Sequence, residues 1–372
     1  MSKTKKLIRQ IHLWLGLVIS LPLIIVAITG AILVFERELA PVAAPMLYTN
    51  HSSPEKDFYP VDDIIKRVNS QAQNQVIQRI YLEADSSRSV LVQTADLDGV
   101  RHVYAVDRYT GEIQTKGVLN KQFFRVVLGL HRFLLVGEVG KMITGLSCFG
   151  FVIIIISGLI LWVPKKIKNA KQRLKIKWTA SSKRLNWDLH VVPGFYAALF
   201  ALALALTGLV WSYKWYEGII YYATDGKPKP SLRQENESTT GSFGNFSMDK
   251  LLHQVNQTFP FNGDIRINIG DTLNNESIMV QKVNLESLIP NQGSFVYFDG
   301  RNGEKIKTVP YDQLTTGTKV RRLVYPIHTG SIFGLPTKIM AFITCLIMAS
   351  SPITGFFIWR GRKKKKGKRE LK

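Results

Sequence analysis

Long apolar runs alternate with polar segments along this chain of 372 residues. Four runs have the length that a helix needs to cross the roughly 30 Å hydrocarbon core of a bilayer, which is about 20 residues. They occupy positions of about 12–35, 141–163, 191–213 and 338–359. The pattern therefore predicts a membrane α-helical protein with four transmembrane helices. The first run has no evident cleavage site, so we expect it to remain as a helix.

The net charge of +22 is concentrated beside these spans. Basic residues crowd the N-terminus, the loop 165–187 and the tail 361–372. By contrast, positions 37–125 hold 11 basic and 11 acidic residues, and positions 215–325 hold 12 of each. The positive-inside rule then predicts cytoplasmic termini and a cytoplasmic middle loop, with the two balanced segments on the periplasmic side of a bacterial inner membrane. Contact with anionic membrane lipids accounts for the basic excess, so no nucleic-acid partner is expected.

The second half of the chain repeats the spacing of the first. One repeated set is His12, Gly16 and Thr29-Gly30, matched by His190, Gly194 and Thr207-Gly208. The other is His131, Gly137, Lys141, Ser157-Gly158 and Trp162, matched without a gap by His328, Gly334, Lys338, Thr354-Gly355 and Trp359. Both halves run in the same direction, so we predict two parallel tandem repeats related by an axis along the membrane normal.

A polar domain follows the first span of each half. In the first domain, helical spacing at 61–68 precedes alternating strands at 78–82, 89–94 and 102–106. In the second, a helix is predicted at 248–255 and a strand at 295–298. The last strand of each domain ends in the turn Asp-x-x-x-Gly-Glu, which begins at Asp107 and Asp299. Each domain is therefore expected to be α+β, with one small helix on a short antiparallel sheet, and 227–245 is expected to be a loop.

These patterns divide the chain into eight segments. They are 1–36 (N-terminus and first span), 37–136 (first periplasmic domain and interfacial segment), 137–164 (second span), 165–187 (basic loop), 188–214 (third span), 215–336 (second periplasmic domain and interfacial segment), 337–360 (fourth span) and 361–372 (basic tail).

The four repeated histidines are the candidate metal ligands. If the halves pack about a twofold axis, His12 faces His190 near the cytoplasmic surface and His131 faces His328 near the periplasmic surface. Two imidazoles from different helices are suitable axial ligands for a low-spin haem iron. We therefore expect two b-type haems per chain, bound without covalent attachment because no Cys-x-x-Cys-His occurs. Zinc is a weaker alternative, since each histidine pair has too few neighbouring ligands.

Basic residues near the histidines could contact haem propionates. The candidates are Lys141, Lys338 and Arg132 for the periplasmic haem, and Arg9 and Arg184 for the cytoplasmic haem. Snorkelling of the same side chains at the span ends explains them equally well.

Glycines and cysteines within the spans are interpreted as packing residues. Gly16, Gly194, Gly30 and Gly208 allow a neighbouring helix, or a flat macrocycle, to approach closely. Cys148 and Cys345 are interpreted as small residues that pack between helices or face lipid.

The stretch from His131 to Trp162 is too long for one span, because its 31 residues would extend about 46 Å as a helix. A break at Gly137 and at Gly334 is therefore expected, with both histidines on short interfacial segments.

With its Asp-x-x-x-Gly-Glu turns and its repeated histidine, glycine and tryptophan spacing, the chain resembles the PepSY-associated transmembrane helix family over nearly its whole length. That family includes iron-regulated inner-membrane proteins and ferric-siderophore reductases. The resemblance implies b-type haem held by histidines at the span ends. It also implies a ferric siderophore as the electron acceptor.

The leading functional hypothesis is a haem-dependent membrane oxidoreductase that carries electrons across the membrane to a ferric siderophore or another periplasmic acceptor. An external electron donor is expected, because no flavin or nicotinamide motif is evident, and no catalytic residue is assigned. The alternative is a PepSY-type peptide- or protein-binding regulatory module with structural histidines. A transporter is disfavoured because the spans carry essentially no charges near their centres. The internal repeat makes a monomer sufficient.

Overall fold

The computed structural model describes residues 2–52, 57–164, 170–230, 246–269 and 277–370, with side chains up to position 362. Three predicted features lie partly or wholly outside these residues: Lys165, Lys166 and Lys168 of the basic loop, most of the loop 227–245, and the side chains of the basic tail. The chain divides into two compact units. A helical unit contains Met1–Phe35, Val127–Ile219 and Val324–Lys372, and a sheet unit contains Glu36–Val126 and Ile220–Leu323.

The described residues form thirteen α-helices and eight strands. The helices are α1 (Lys3–Val18), α2 (Ser20–Val34), α3 (Glu36–Ala43), α4 (Pro45–Tyr48), α5 (Val61–Gln71), α6 (Phe123–Phe133), α7 (Gly137–Trp162), α8 (Ala170–Arg173), α9 (Ser182–Ser212), α10 (Lys214–Asp225), α11 (Met248–Thr258), α12 (Thr316–His328) and α13 (Leu335–Glu370). The strands are β1 (Gln75–Leu82), β2 (Val90–Asp96), β3 (Arg101–Val106), β4 (Ile113–Val118), β5 (Gly263–Asn268), β6 (Ser277–Asn284), β7 (Gly293–Asp299) and β8 (Lys305–Val309).

Three helices among the described residues are long and apolar enough to cross a membrane: α7, α9 and the part of α13 from Leu335 to Arg362. Helices α1 and α2 also qualify when taken as a pair, but they are bent by 67° at a break. Where the sequence predicts one span at 12–35, the structure has two helices that meet at Ile19. Pro22 weakens the chain at this point, because it cannot donate the helical hydrogen bond to the carbonyl of Val18.

Large apolar side chains cover the outside of α7, and small residues line its buried side. The exposed set is Met142, Leu146, Phe149, Ile153, Ile156 and Ile160. The buried set includes Gly140, Thr144, Ser147, Gly150 and Ser157. Soluble helices have the opposite arrangement, whereas membrane helices pack through small residues and present apolar surface to lipid. Small residues also line the buried side of α9. Its alanines Ala197, Ala201 and Ala205 lie in the core of the helical unit, in one cluster with Ile19, Phe151 and Met348.

The predicted helix breaks are confirmed. Helix α6 ends at Phe133 before α7 begins at Gly137, and α12 ends at His328 before α13 begins at Leu335. Gly137 has a φ of +60° and Gly334 a φ of +70°, a backbone conformation that glycine adopts without a steric penalty. These turns put His131 and His328 on helices of their own, outside α7 and α13.

The sheet unit contains one antiparallel sheet of eight strands in the order β4-β3-β2-β1-β5-β6-β7-β8. Strands β1 and β5 join the two halves, with Ile80 opposite Ile267. Helices α5 and α11 cover one face of this sheet, where Val68 and Val255 pack in the same core as the two isoleucines. The segments predicted as two small domains thus share one sheet and one core. The helix and strand positions predicted from the sequence are present, and β4 and β8 add a strand after each turn.

The Asp-x-x-x-Gly-Glu turns have the same geometry in both halves. The amide of Gly111 donates to the carbonyl of Asp107 at 2.9 Å, and the amide of Asp107 donates to the carbonyl of Glu112 at 2.8 Å. Gly303, Asp299 and Glu304 repeat these bonds at 2.9 and 2.8 Å. Both glycines have a positive φ, +69° and +72°, which explains the glycine in the motif.

Helices α5 and α11 cap each other at their N-termini. Asp249 accepts hydrogen bonds from the amides of Val61 and Asp62, both at 2.9 Å. Asp62 accepts from the amide of Met248 at 2.6 Å and from the hydroxyl of Ser247. Burial acts to raise the pKa of Asp62, but the bonds from Ser247 and Met248 outweigh it and lower that pKa. The reciprocal caps tie the two halves of the sheet unit together.

Candidate functional site

The structure brings the four repeated histidines together as two pairs. In the first pair, the ring centroids of His12 and His190 are 6.4 Å apart with an interplanar angle of 86°. In the second pair, those of His131 and His328 are 6.1 Å apart with an angle of 65°. Each pair contains one residue from each half of the chain, as the repeat predicts.

Both rings of the second pair are held through Nδ1. His131 Nδ1 lies 2.9 Å from the carbonyl oxygen of Val26 and 3.1 Å from Oγ1 of Thr29. His328 Nδ1 lies 3.0 Å from the carbonyl oxygen of Leu204 and 3.0 Å from Oγ1 of Thr207. A carbonyl oxygen can only accept a hydrogen bond, so Nδ1 carries the proton and donates. The other ring nitrogen, Nε2, then has the free lone pair that a metal requires.

The first pair is held in the same way. His190 Nδ1 lies 3.1 Å from the carbonyl oxygen of Ser351 and 3.0 Å from Oγ1 of Thr354. His12 Nδ1 lies 2.9 Å from Oγ of Ser157. That hydroxyl donates its proton to the carbonyl of Ile154 at 3.0 Å, so it accepts from His12. Within the described part of the chain, Nε2 makes no hydrogen bond in any of the four histidines.

A glycine lies beside each ring, immediately after the hydroxyl residue. A Cβ atom at Gly30 would be 3.2 Å from Cε1 of His131, and one at Gly208 would be 3.3 Å from Cε1 of His328. The corresponding distances are 3.3 Å from Gly158 to His12 and 3.4 Å from Gly355 to His190. Each Thr-Gly or Ser-Gly pair therefore acts as a cradle, in which the hydroxyl holds Nδ1 and the glycine leaves room for the ring.

The other two glycines singled out in the sequence do not touch a histidine ring. A Cβ at Gly16 would make an ordinary contact of 3.7 Å with Ile154, and one at Gly194 would have nothing within 4 Å. The four span glycines therefore separate into two that accommodate a ring and two that do not.

Both cysteines lie next to the second histidine pair, which the sequence reasoning missed. Sγ of Cys345 is 3.6 Å from the Cβ position of Gly30, and Sγ of Cys148 is 3.6 Å from that of Gly208. In both contacts the cysteine comes from the opposite half of the chain. The available signal was spacing, because Cys148 and Cys345 each stand seventeen residues after the histidine of their own half. They are packing residues, as predicted, between α13 and α2 and between α7 and α9.

The ring separations fit a shared metal ion. An imidazole nitrogen lies about 2 Å from a bound metal, and a ring centre is about 1 Å further, so two rings on opposite sides of one ion have centroids roughly 6 Å apart. The observed separations are 6.4 and 6.1 Å. Among the described residues, no group of three or more His, Cys, Asp or Glu side chains could hold a metal ion. Two imidazoles suit an iron whose other ligands come from a porphyrin.

The second pair is also in the protonation state that a metal needs. Burial lowers the pKa of both His131 and His328 to about 4, on helices outside the candidate spans. Their imidazoles are therefore neutral at physiological pH, which is the form that coordinates metals.

An apolar cavity of about 330 Å³ lies beside the first pair, between α9 and α13. Leu189, Pro193 and Ile347 line it, and Thr354, which holds His190, forms part of its wall. This cavity is open on one side, so it is a groove between the two helices and not an enclosed pocket.

The five basic residues predicted near the propionates have local surroundings of their own. Lys141 donates to Glu138 at 3.0 Å, and Arg184 pairs at 2.9 Å with Asp188, a buried aspartate that the sequence reasoning missed. Arg132 lies over the ring of Phe133, and Lys338 over the ring of Phe35, at 5.0 and 5.6 Å. Arg9 lies on α1, one turn before His12. Their contact with propionates stays a prediction.

The three unpaired histidines lie in the sheet unit. His102 contacts Asp96 at 2.9 Å, and His253 shares a hydrogen bond of 2.9 Å with Gln257. The backbone amide of His51 donates to Asp107 at 3.0 Å. These contacts lie within the sheet unit and involve neither histidine pair.

A comparison with protein families gives a match that covers nearly the whole chain. The model of the PepSY-associated TM region matches residues 9–362. The chain belongs to this family. Its match includes both histidine pairs, the three candidate spans and most of the bent pair α1 and α2. With these apolar helices the chain is a membrane protein. A comparison with curated proteins finds no match.

The two pairs lie at separate levels of the helical unit of this PepSY-associated protein. On α7, Cys148 marks the level of the second pair and Ser157 the level of the first. The nine residues between them correspond to about 14 Å along a helix. This spacing is shorter than the roughly 20 Å that the thickness of a bilayer would suggest.

Proposed function

We propose that the protein is a transmembrane di-haem b electron-transfer protein that reduces a periplasmic acceptor, with a ferric siderophore as the favoured acceptor. The observation that carries the proposal is the double histidine arrangement. Two pairs of rings have centroids 6.4 and 6.1 Å apart, and hydrogen bonds at Nδ1 leave every Nε2 free to bind iron. The family of the chain is consistent with this function.

The proposal includes a topology. The bent pair α1 and α2 counts as the first of four spans, and the halves form two parallel repeats in the inner membrane. The termini and the basic loop are cytoplasmic, and the sheet unit is periplasmic. The support is the placement of basic residues beside the spans and the near balance of charge at 37–125 and 215–325.

When bound, haem b supplies reversible one-electron chemistry at its iron. The imidazoles of the two histidine pairs would hold the haem iron, and the carbonyls of Val26, Leu204 and Ser351 fix the orientation of three of these rings. The indole of Trp211, whose ring centroid is 5.1 Å from that of His328, adds an aromatic contact to the second pair.

The acceptor chemistry requires only one electron for each ferric ion. The resulting ferrous ion is held less tightly by the hard oxygen ligands of a siderophore, so reduction releases iron. Since no flavin or nicotinamide motif is evident in the sequence, the electron comes from an external donor. A monomer can perform this function because both histidine pairs lie within one chain.

Rapid mixing of the reduced protein with a ferric siderophore tests the proposal. Purified protein is reduced with dithionite under argon, freed of excess reductant and mixed with the ferric siderophore, while the haem absorption and a ferrous chelator are followed. We expect haem reoxidation with one ferrous ion formed per electron. His131→Ala should abolish the reaction, and His253→Ala, a surface histidine of α11, should not change it.

A colourless protein from haem-replete cells would contradict the proposal and favour the peptide- or protein-binding module. A red protein that ferric siderophores do not reoxidise would reject the siderophore as acceptor. Equal rates for wild type and His131→Ala would remove the second pair from the electron path.

A further inference from the structure

The sheet unit has a second face, opposite the face that α5 and α11 cover, and arginines lie at its centre. Side chains alternate along a strand, so the buried Ile80 and Ile267 point toward the helices, and Arg79 and Arg266 point away from them. Both arginines are exposed. They are diagonal neighbours on β1 and β5, because Arg79 pairs with Asn268 and Arg266 pairs with Tyr81. Long side chains in such positions reach the same region of a sheet face.

The two halves supply this centre symmetrically. Arg79 is opposite Gln93 on β2, and Arg266 is opposite Gln281 on β6. The two glutamines are 5% and 8% exposed. An arginine paired across strands with a buried glutamine is therefore present twice, once on each side of the β1–β5 junction.

A third arginine joins the cluster from α12. A Cβ atom at Gly293 would overlap Nη2 of Arg322 and would be 2.8 Å from Nε2 of Gln281, so glycine at this position lets the two groups converge. Arg322 donates to the carbonyl of Asn291 at 2.9 Å. Burial and the nearby charge of Arg266 lower the pKa of Arg322 to about 10, although Tyr311 acts in the opposite direction.

Carboxylates do not neutralise this cluster within the described residues. Over those ranges, none of Arg79, Arg266 and Arg322 forms an ion pair with an acidic side chain. The guanidinium of Arg266 instead lies 5.0 Å from the ring centroid of Tyr81. Two other arginines of the unit, Arg37 and Arg88, do have an acidic partner, because both contact Glu83. Asp264, two residues before Arg266 on β5, pairs with Arg37 instead, so the guanidinium groups of the cluster remain available to a bound oxyanion.

We infer that the centre of this sheet face, formed by Arg79, Arg266, Arg322 and the two buried glutamines, is a binding site for a small oxyanionic ligand. Guanidinium groups form paired hydrogen bonds to carboxylate or phosphate oxygens, and glutamine amides supply further donors. The binding site does not require haem. Its role in presenting an electron acceptor that carries carboxylate groups rests on the function proposed above.

Calorimetric titration of the detergent-solubilised full-length protein tests the inference. The probes are citrate as a soluble carboxylate, inorganic phosphate as a soluble phosphate, and vesicles containing phosphatidylglycerol as a lipid phosphate. We expect saturable binding of a soluble oxyanion that weakens as sodium chloride is added. The single variants Arg79→Gln and Arg266→Gln should each weaken this binding about tenfold, as expected for loss of hydrogen bonds to a charged group. The double glutamine variant combines both substitutions.

Two further variants control for charge and for geometry. Lys250→Gln removes the charge of an exposed side chain of α11, which covers the opposite face of the sheet, and it should leave oxyanion binding unchanged. The double variant Arg79→Lys and Arg266→Lys keeps the charge but loses the paired hydrogen bonds, so its affinity should lie between those of wild type and the double glutamine variant.

Binding that is equal in wild type and the double glutamine variant would overturn the inference. So would the absence of binding by citrate and phosphate at millimolar concentrations, or binding to vesicles alone. The haem spectrum is recorded on the same samples. A red protein that binds no oxyanion leaves the proposed function intact, and a colourless protein that binds citrate leaves the anion site intact.

Discussion

Replacing Gly30 with alanine tests whether the glycine cradle positions the second histidine pair. The new Cβ would lie 3.2 Å from Cε1 of His131 and 3.6 Å from Sγ of Cys345. Carbon atoms in ordinary contact are about 3.5–4.0 Å apart, so the ring has to move by a few tenths of an ångström. The hydrogen bonds of 2.9 and 3.1 Å at Nδ1 oppose this movement.

Two energies of opposite sign decide the result. Alanine is favoured over glycine inside a helix by about 1 kcal/mol. Forcing an extra methyl group into a packed site costs about 1–3 kcal/mol. Gly218 in α10 supplies the control, because a Cβ there would have nothing within 4 Å. Gly218→Ala should show only the stabilisation from helix propensity, whereas Gly30→Ala should also show the cost of the added methyl group. The free energies of unfolding of the two variants should therefore differ by about 1–3 kcal/mol.

The assay is thermal unfolding of both variants in the same detergent, followed by tryptophan fluorescence and by the visible spectrum. We expect a lower midpoint for Gly30→Ala than for Gly218→Ala, with any spectral change confined to the haem at the second pair. Equal midpoints together with unchanged spectra would refute the view that the glycine is required by the histidine ring.

Three further predictions concern the sheet unit and are read from unfolding of the purified protein. Asp62→Ala should cost about 1 kcal/mol, as for other lost helix caps. Because the pKa of Asp62 is lowered in the fold, this contribution should be full above about pH 4 and disappear as the pH falls further. An undiminished cap effect at pH 2 would contradict this. Gly111→Ala should destabilise more than Gly99→Ala, because both glycines have a positive φ but only at Gly111 would a Cβ overlap a neighbour, the ring of Tyr59. Equal losses for the two variants would contradict this. Tyr297→Phe should raise stability by about 1 kcal/mol, since its buried hydroxyl finds no partner among the described residues, and a loss of stability would reveal a partner.

The histidine pairs could be predicted from the sequence because the internal repeat shows which positions of the two halves are equivalent. His12 and His190 share their offsets to two glycines, and a twofold arrangement of the halves then brings equivalent residues face to face. The helix breaks were also predictable, because the distance from His131 to Trp162 exceeds a bilayer thickness. The cradles were visible only as repeated Thr-Gly and Ser-Gly pairs, without the contacts that explain them.

The pairing of distant strands and the position of the helix break at Pro22 could not be predicted from the sequence. Alternation around Ile80 and Ile267 indicates that one face of each strand is buried, but it does not say that β1 and β5 pair with each other. Proline occurs in both first-span equivalents, yet only the helix with Pro22 breaks, whereas α9 continues through Pro193. A proline inside a helical run can break, kink or only locally weaken the helix, and the sequence alone does not indicate which of these occurs.

The haem content of the purified protein tests the central claim most directly. A pyridine haemochrome assay on protein from haem-replete cells should give two b haems per chain. It should give one for His12→Ala or His328→Ala, and none when one histidine of each pair is replaced, while His253→Ala retains both. A haem content that stays the same in all of these variants would contradict the account.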